Sequence, residues 1–154
     1  LTYEHINPEE LGAPRGWTNG MLGPAGGRIL FVAGQDAAEP EGVVTEDDFI
    51  EQFGIALGKA VTVVREAGGG PEDVGRLTIF VADVEEYRAR RGELKDVYRA
   101  HMGRHYPAMA LVQAAGFVDP RAKVEIEATA IIEDYSAPDL ASEPASDGPH
   151  GGGE

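Results

Sequence analysis

A two-layer α+β domain, with elements in the order ββαβαββ and two helices on one face of a mixed sheet, is the fold class this sequence predicts. Three observations predict it. Two long segments repeat apolar residues at helical period, five shorter ones alternate or run apolar as strands do, and turn chemistry separates them. A chain of 154 residues with 42% hydrophobic content also has material for one core and not for two. The domain is assigned to residues 1–135.

The first 27 residues are rich in Pro and Gly and contain one short strand around Thr18 to Leu22. Gly23-Pro24-Ala25-Gly26-Gly27 has the composition to reverse the chain into a second strand, Arg28 to Ala33, predicting a hairpin. Thr45-Glu46-Asp47-Asp48 has capping-box spacing, and Phe49, Phe53, Ala56, Leu57, Ala60, Val61 and Val64 follow at helical period. The first helix is therefore placed from about Glu46 to Ala67, and its internal Gly54 and Gly58 suggest close approach to the sheet. Gly68-Gly69-Gly70-Pro71 ends it. Val74 to Ala82 alternates Leu77, Ile79 and Val81 against Thr78 and Phe80, as a central strand does. A second helix begins at Asp83, buries Val84, Tyr87, Leu94, Val97, Tyr98 and Met102, and stops at Gly103. Two strands, Met109 to Ala115 and Lys123 to Ile132, close the domain across the turn at 116–122. Residues 136–154 hold three prolines, four acidic residues and no Lys or Arg, the composition of a disordered acidic tail.

The charge narrows the range of partners. With 27 Asp and Glu against 13 Lys and Arg, the formal net charge is −14, which opposes nucleic-acid binding because that affinity comes largely from cations displacing phosphate counterions. Arg88, Arg90 and Arg91 are a local basic cluster whose ordinary reading is a solvated helix face. Zero cysteines remove disulfides, thiolate nucleophiles and cysteine metal sites together. There is no apolar run of bilayer length and no basic segment leading an apolar stretch of signal-peptide type, so a cytoplasmic protein without a membrane partner is expected. His101 and His105 are four apart, but Gly103 and Pro107 interrupt a helix through both and no third ligand accompanies them, so no metal or other cofactor is expected.

The functional signal concentrates between His105 and Ala128. Tyr106-Pro107-Ala108-Met109 leads into one strand, and Val124-Glu125-Ile126-Glu127-Ala128 opens the last, with Glu125, Glu127 and Thr129 opposed to an apolar face. Together with Phe31-Val32-Ala33-Gly34-Gln35, these segments resemble the YjgF/RidA family over roughly residues 6–133. The resemblance implies a chorismate mutase-like fold, a homotrimer with ligand clefts between neighbouring subunits, and hydrolysis of imines or enamines derived from amino acids.

In the deaminating members, an arginine of a Pro-Ala-Arg motif clamps the substrate carboxylate, and the position matching it here is Met109. Charged hydrogen bonds are worth about 1.5–3 kcal/mol each, so loss of that clamp lowers affinity for the same ligand on the order of a hundredfold. A thioether has no donor, so Met109 and Leu111 read either as the floor of a more apolar cleft or as filling of a subunit contact. Glu125 matches the family's water-positioning glutamate; the structural alternative pairs it with Lys123, Arg121 or a backbone group, and Glu127 is read as structural. Gly34 and Gln35 match the family's strand end, where a glycine admits a ligand close to the backbone. Trp17 and Asn19 fall where the family carries an aromatic segment, as a cleft wall or as packing at a subunit edge. Arg104 and His105, near Met109 in sequence, are the candidates for a substitute anion anchor. The leading expectation is an enzyme on a small-molecule substrate other than 2-aminoacrylate; a non-catalytic metabolite-binding or regulatory trimer is the alternative, and ribonuclease activity is opposed by the charge.

Overall fold

The computed structural model describes residues 2–133; the tail expected at 136–154 lies outside them. Two short strands come first, β1 (Glu4–Ile6) and β2 (Gly20–Leu22), followed by β3 (Arg28–Gln35). Then come α1 (Phe49–Glu66), β4 (Val74–Val81), α2 (Val84–Met102), β5 (Ala108–Gln113) and β6 (Val124–Ile132). The main sheet has the order β3-β6-β4-β5, antiparallel except for the parallel β4–β5 pair. The predicted fold class is the observed one.

The expected hairpin between the first two strands does not form. β2 pairs antiparallel with β1, and β3 pairs with β6 instead. Turn chemistry permits a reversal but does not choose a partner; β3 gains more by burying Val32 and Leu30 against the core than by joining a three-residue strand. β1 escaped sequence reading because its three residues are all exposed and leave no alternation.

α1 also starts later than the capping box suggests. Asp48, not Thr45, is the cap: its Oδ1 accepts from the N–H groups of Ile50 at 3.0 Å and Glu51 at 3.1 Å. The Thr45 hydroxyl is turned away to Glu39. Gly54 and Gly58 do permit a close approach, but of α2 and not of the sheet. A Cβ on Gly54 would lie 3.0 Å from the Val97 side chain, and one on Gly58 would lie 2.9 Å from the His101 ring.

The core lies between the helices and one face of the sheet. Leu77, Ile79 and Val81 of β4 and Val124, Ile126, Ala128, Ala130 and Ile132 of β6 supply the sheet side. Phe53, Leu57, Val61 and Val64 of α1 and Leu94, Tyr98 and Met102 of α2 supply the helix side. Burying each large side chain stabilises the fold by about 1.5–3 kcal/mol. Among the described residues no helix covers the opposite face, and Phe31 and Ile29 stand on it 78% and 62% exposed.

Tyr3 joins the N-terminal strand pair to this core. Its buried hydroxyl donates to the Asp73 carbonyl at 2.8 Å and accepts from the Ile131 N–H at 3.0 Å, and burial pushes its pKa up, so it stays neutral. Tyr3→Phe leaves both backbone groups without that partner and is expected to lower stability by about 1–3 kcal/mol. Urea unfolding measures this, and a change below about 0.5 kcal/mol would show that water replaces the hydroxyl.

Candidate functional site

An open cleft of about 720 Å³ lies where α2 leans on α1 and leaves the edge strand β5 partly uncovered. Its floor is Phe53, Ile79, Leu94, Met109 and Leu111, and its aromatic walls are Trp17, Tyr87, Tyr98 and Tyr106. Trp17 reaches this place because its loop is fastened to the lead-in of β5. The Thr18 N–H donates to the Pro107 carbonyl at 3.1 Å, and the buried Thr18 hydroxyl donates to the Tyr106 carbonyl at 2.7 Å. Asn19 sits outside the lining and steadies the loop: its N–H donates to Asn7 at 2.8 Å, and its Oδ1 accepts from the Trp17 indole at 3.4 Å. Tyr98 and Tyr106 stack in parallel with centroids 5.2 Å apart. The Tyr98 hydroxyl donates to the His105 carbonyl at 2.6 Å, and burial holds its pKa well above the ordinary value, so it acts only as a neutral group.

The other half of the predicted set lies on the opposite side of the sheet. β4–β5 pairing sets Met109 beside Leu77, Leu111 beside Ile79 and Gln113 beside Val81, so all three face the helix side. Glu125 pairs with Phe80, on the uncovered face. Alternation along the two closing strands suggests one face bearing Glu125, Glu127, Thr129 and Gln113 alongside Met109 and Leu111, and the pairing corrects this: one residue of register reverses every side chain of a strand. Gln113 instead accepts from the Val84 N–H at 2.9 Å at the start of α2.

Glu125 is half-buried, and its carboxylate makes no hydrogen bond or ion pair among the described residues. The suggested structural partners are engaged elsewhere, Arg121 with Asp47 at 2.6 Å and Lys123 with Glu86 at 3.6 Å. Gly34 makes room for it. The β3–β6 register slips between Val32 and Gln35, and a Cβ on Gly34 would lie 2.1 Å from Glu125 Oε1. Gln35 turns back on its own strand, its side-chain amide donating to the Ala33 carbonyl at 3.1 Å. Glu127 is exposed.

Arg104 is exposed and does not line the cleft. His105 bonds to the Val74 carbonyl at 2.7 Å while His101 lies over Gly58, where burial and then Arg65 lower its pKa. No group of three His, Cys, Asp or Glu residues among the described residues could hold a metal. The three neighbouring arginines of α2 behave differently from one another. Arg88 pairs with Glu85, and Arg90 binds Asp48 at 2.7 Å and Glu93 at 2.9 Å, whereas Arg91 faces the cleft with Lys95 and Arg15. Sequence reading places none of these three cations at a site: it takes Arg91 with Arg88 and Arg90 as a solvated helix face, and it passes over Lys95 and Arg15. For two of them the signal was present, since Arg91 and Lys95 fall in helical register with Tyr87, Leu94 and Tyr98, already read as the inward stripe.

One mixed sheet with both helices on a single face places the chain among the two-layer α+β proteins and not among the barrel or Rossmann folds. The chain belongs to the Endoribonuclease L-PSP family, whose model matches residues 12–132, the family also called YjgF/RidA. An uncharacterised protein of Streptomyces coelicolor, SCO2049, is 31% identical over 134 residues, 84% of this chain and 95% of that one. YyfB of Yersinia pestis, a Rid-family protein of unknown function, superposes with a TM-score of 0.74 at 27% identity, over 86% of this chain and 100% of its own. TdcF of Escherichia coli, named as a provisional reactive intermediate deaminase, was solved with bound serine. It superposes with a TM-score of 0.58 at 26% identity, over 78% of this chain and 91% of its own. No helix among the described residues is long and apolar enough to cross a membrane.

Proposed function

We propose that this protein is a cytoplasmic hydrolase of imines or enamines, acting as a homotrimer whose clefts combine the Met109 side of one subunit with the Glu125 side of its neighbour. The observation that carries this reading is Glu125 itself, a half-buried carboxylate with no partner among the described residues, lodged over Gly34. In a single chain it lies across the sheet from the cleft, so only a second chain brings carboxylate and cleft together. The uncovered face, with Phe31, Ile29 and Val112 exposed, supports such an association.

In the reaction, the Glu125 carboxylate takes a proton from a water whose oxygen bonds to the imine carbon. That proton passes to nitrogen to give a carbinolamine; the carboxylate then carries the carbinolamine hydroxyl proton to the same nitrogen, the C–N bond breaks as the C=O forms, and a carbonyl and ammonia leave. Ammonia release above the spontaneous rate, from at least one of a panel of freshly generated imines and enamines, is the expected result. No acceleration across the panel would end this reading. Met109→Arg is expected to raise the rate on 2-aminoacrylate severalfold or more, since a bidentate arginine restores a carboxylate contact.

Met109 favours a second reading, a non-catalytic metabolite-binding trimer. Retention of ligand binding and of every cellular effect by Glu125→Gln would support it over the hydrolase. RNA cleavage is disfavoured by a net charge of −14.

A further inference from the structure

We infer that Arg91, Lys95 and Arg15 form the anion anchor of the cleft, and that its ligand is a carboxylate carried on a bulky apolar or aromatic body. The inference rests on the cleft being the ligand site, as proposed above. Acidic residues outnumber basic ones 27 to 13 in this chain, yet among the described residues the cleft is lined by these three cations and by no Asp or Glu. A cavity wall drawn at random from such a composition would be acidic.

None of the three cations makes a hydrogen bond or an ion pair among the described residues. Arg90, adjacent to Arg91, shows what a structural arginine looks like here, with Asp48, Glu86 and Glu93 all within salt-bridge distance. Arg91 and Lys95 stand one turn apart on α2, where like charges oppose helix formation by about 0.2–0.5 kcal/mol. That penalty returns nothing to the fold, but two cations on one turn, facing a third on the Trp17 loop, suit a planar anion.

The body of the ligand follows from the walls. The cleft is open, about 720 Å³ on one chain before a neighbouring subunit closes it, and most of its lining is apolar or aromatic. Met109 and Leu111 widen an apolar floor at the point where a charged clamp would otherwise project, and Trp17, Tyr87 and Tyr106 offer aromatic faces. The anion is thereby held from α2 and the loop while the apolar body lies on β5. Read with the hydrolase proposal, the substrate class is the imine or enamine of an amino acid with a large apolar side chain.

The test is calorimetric titration of the full chain with 3-phenylpropionate, 3-phenylpropanamide and propionate. The aromatic carboxylate is expected to bind roughly tenfold or more tighter than either its amide or propionate. Arg91→Gln/Lys95→Gln should erase the preference for carboxylate over amide without weakening the amide, whereas Arg88→Gln, at a residue that pairs with Glu85 and does not line the cleft, should leave it intact. Both cleft cations are exposed, so the double variant is expected to unfold at the wild-type temperature. Equal binding of acid and amide, absence of saturable acid binding up to about 10 mM, or a preference that survives Arg15→Gln/Arg91→Gln/Lys95→Gln would overturn the inference. Glu125→Gln should keep the preference. Imine hydrolysis without acid preference removes this inference alone, and acid preference without hydrolysis removes the hydrolase reading alone.

Discussion

Glu125→Gln is expected to lower imine hydrolysis by roughly 10²–10⁴-fold and to leave the unfolding temperature almost unchanged. Both halves of the result follow from the position of the side chain. Its strand is held by Val124 and Ile126, fully buried on the other face, and the carboxylate has no partner among the described residues whose loss would weaken the fold. Glutamine keeps the shape and removes the base. Gly34→Ala reaches the same end from the neighbouring strand: its Cβ, 2.1 Å from Oε1, must displace the carboxylate without altering its chemistry. Ammonia release by both variants, with thermal unfolding alongside, measures this. Activity within threefold of wild type in Glu125→Gln would move the catalytic carboxylate elsewhere.

The largest stability effect is expected at Gln52. This side chain is fully buried in α1, and its amide nitrogen donates to the carbonyls of Glu46 at 2.7 Å and Arg121 at 3.0 Å. Its oxygen accepts from the Lys123 N–H at 2.8 Å. One residue thus ties the approach to α1 to the loop that feeds β6, two positions before Glu125. Gln52→Leu fills much the same volume and strands three backbone groups, each worth about 1–3 kcal/mol when buried unpaired. A loss on the order of 3–5 kcal/mol, roughly 10 °C or more in Tm, is a large part of the 5–15 kcal/mol typical of a domain. Urea denaturation checks it. A loss below about 1 kcal/mol would mean that the loop relaxes to let water reach the stranded groups. At sublethal temperatures the variant should also lose activity, because the strand that presents Glu125 loses its anchor.

Parts of the cleft were legible in advance and parts were not, for reasons that particular residues make plain. Trp17, Met109 and Leu111 were singled out from the segments in which they lie, and the structure brings all three to one cavity. Arg104 was chosen because it is near Met109 in the chain, yet the cations at the cleft arrive from a helix turn and a loop remote in sequence. Gln52 was invisible, since a glutamine among apolar helical positions looks like a break in the stripe until its three backbone partners are known.

Local information in the chain was enough for the type of every α-helix and strand except β1, the burial of Val124, Ile126, Ala128 and Ile132, the Asp83 start and Gly103 end of the second helix, and the acidic balance. Each depends on periodicity, capping or composition, which neighbouring residues carry within themselves. Tertiary structure alone decided that β2 pairs with β1, that Met109 and Glu125 lie on opposite faces of the sheet, and that Arg91 faces a cavity while Arg90 closes an ion-pair network. Strand partner and register depend on contacts between residues distant in sequence, and the alternation of a strand says that its side chains divide between two faces without saying which face meets which neighbour.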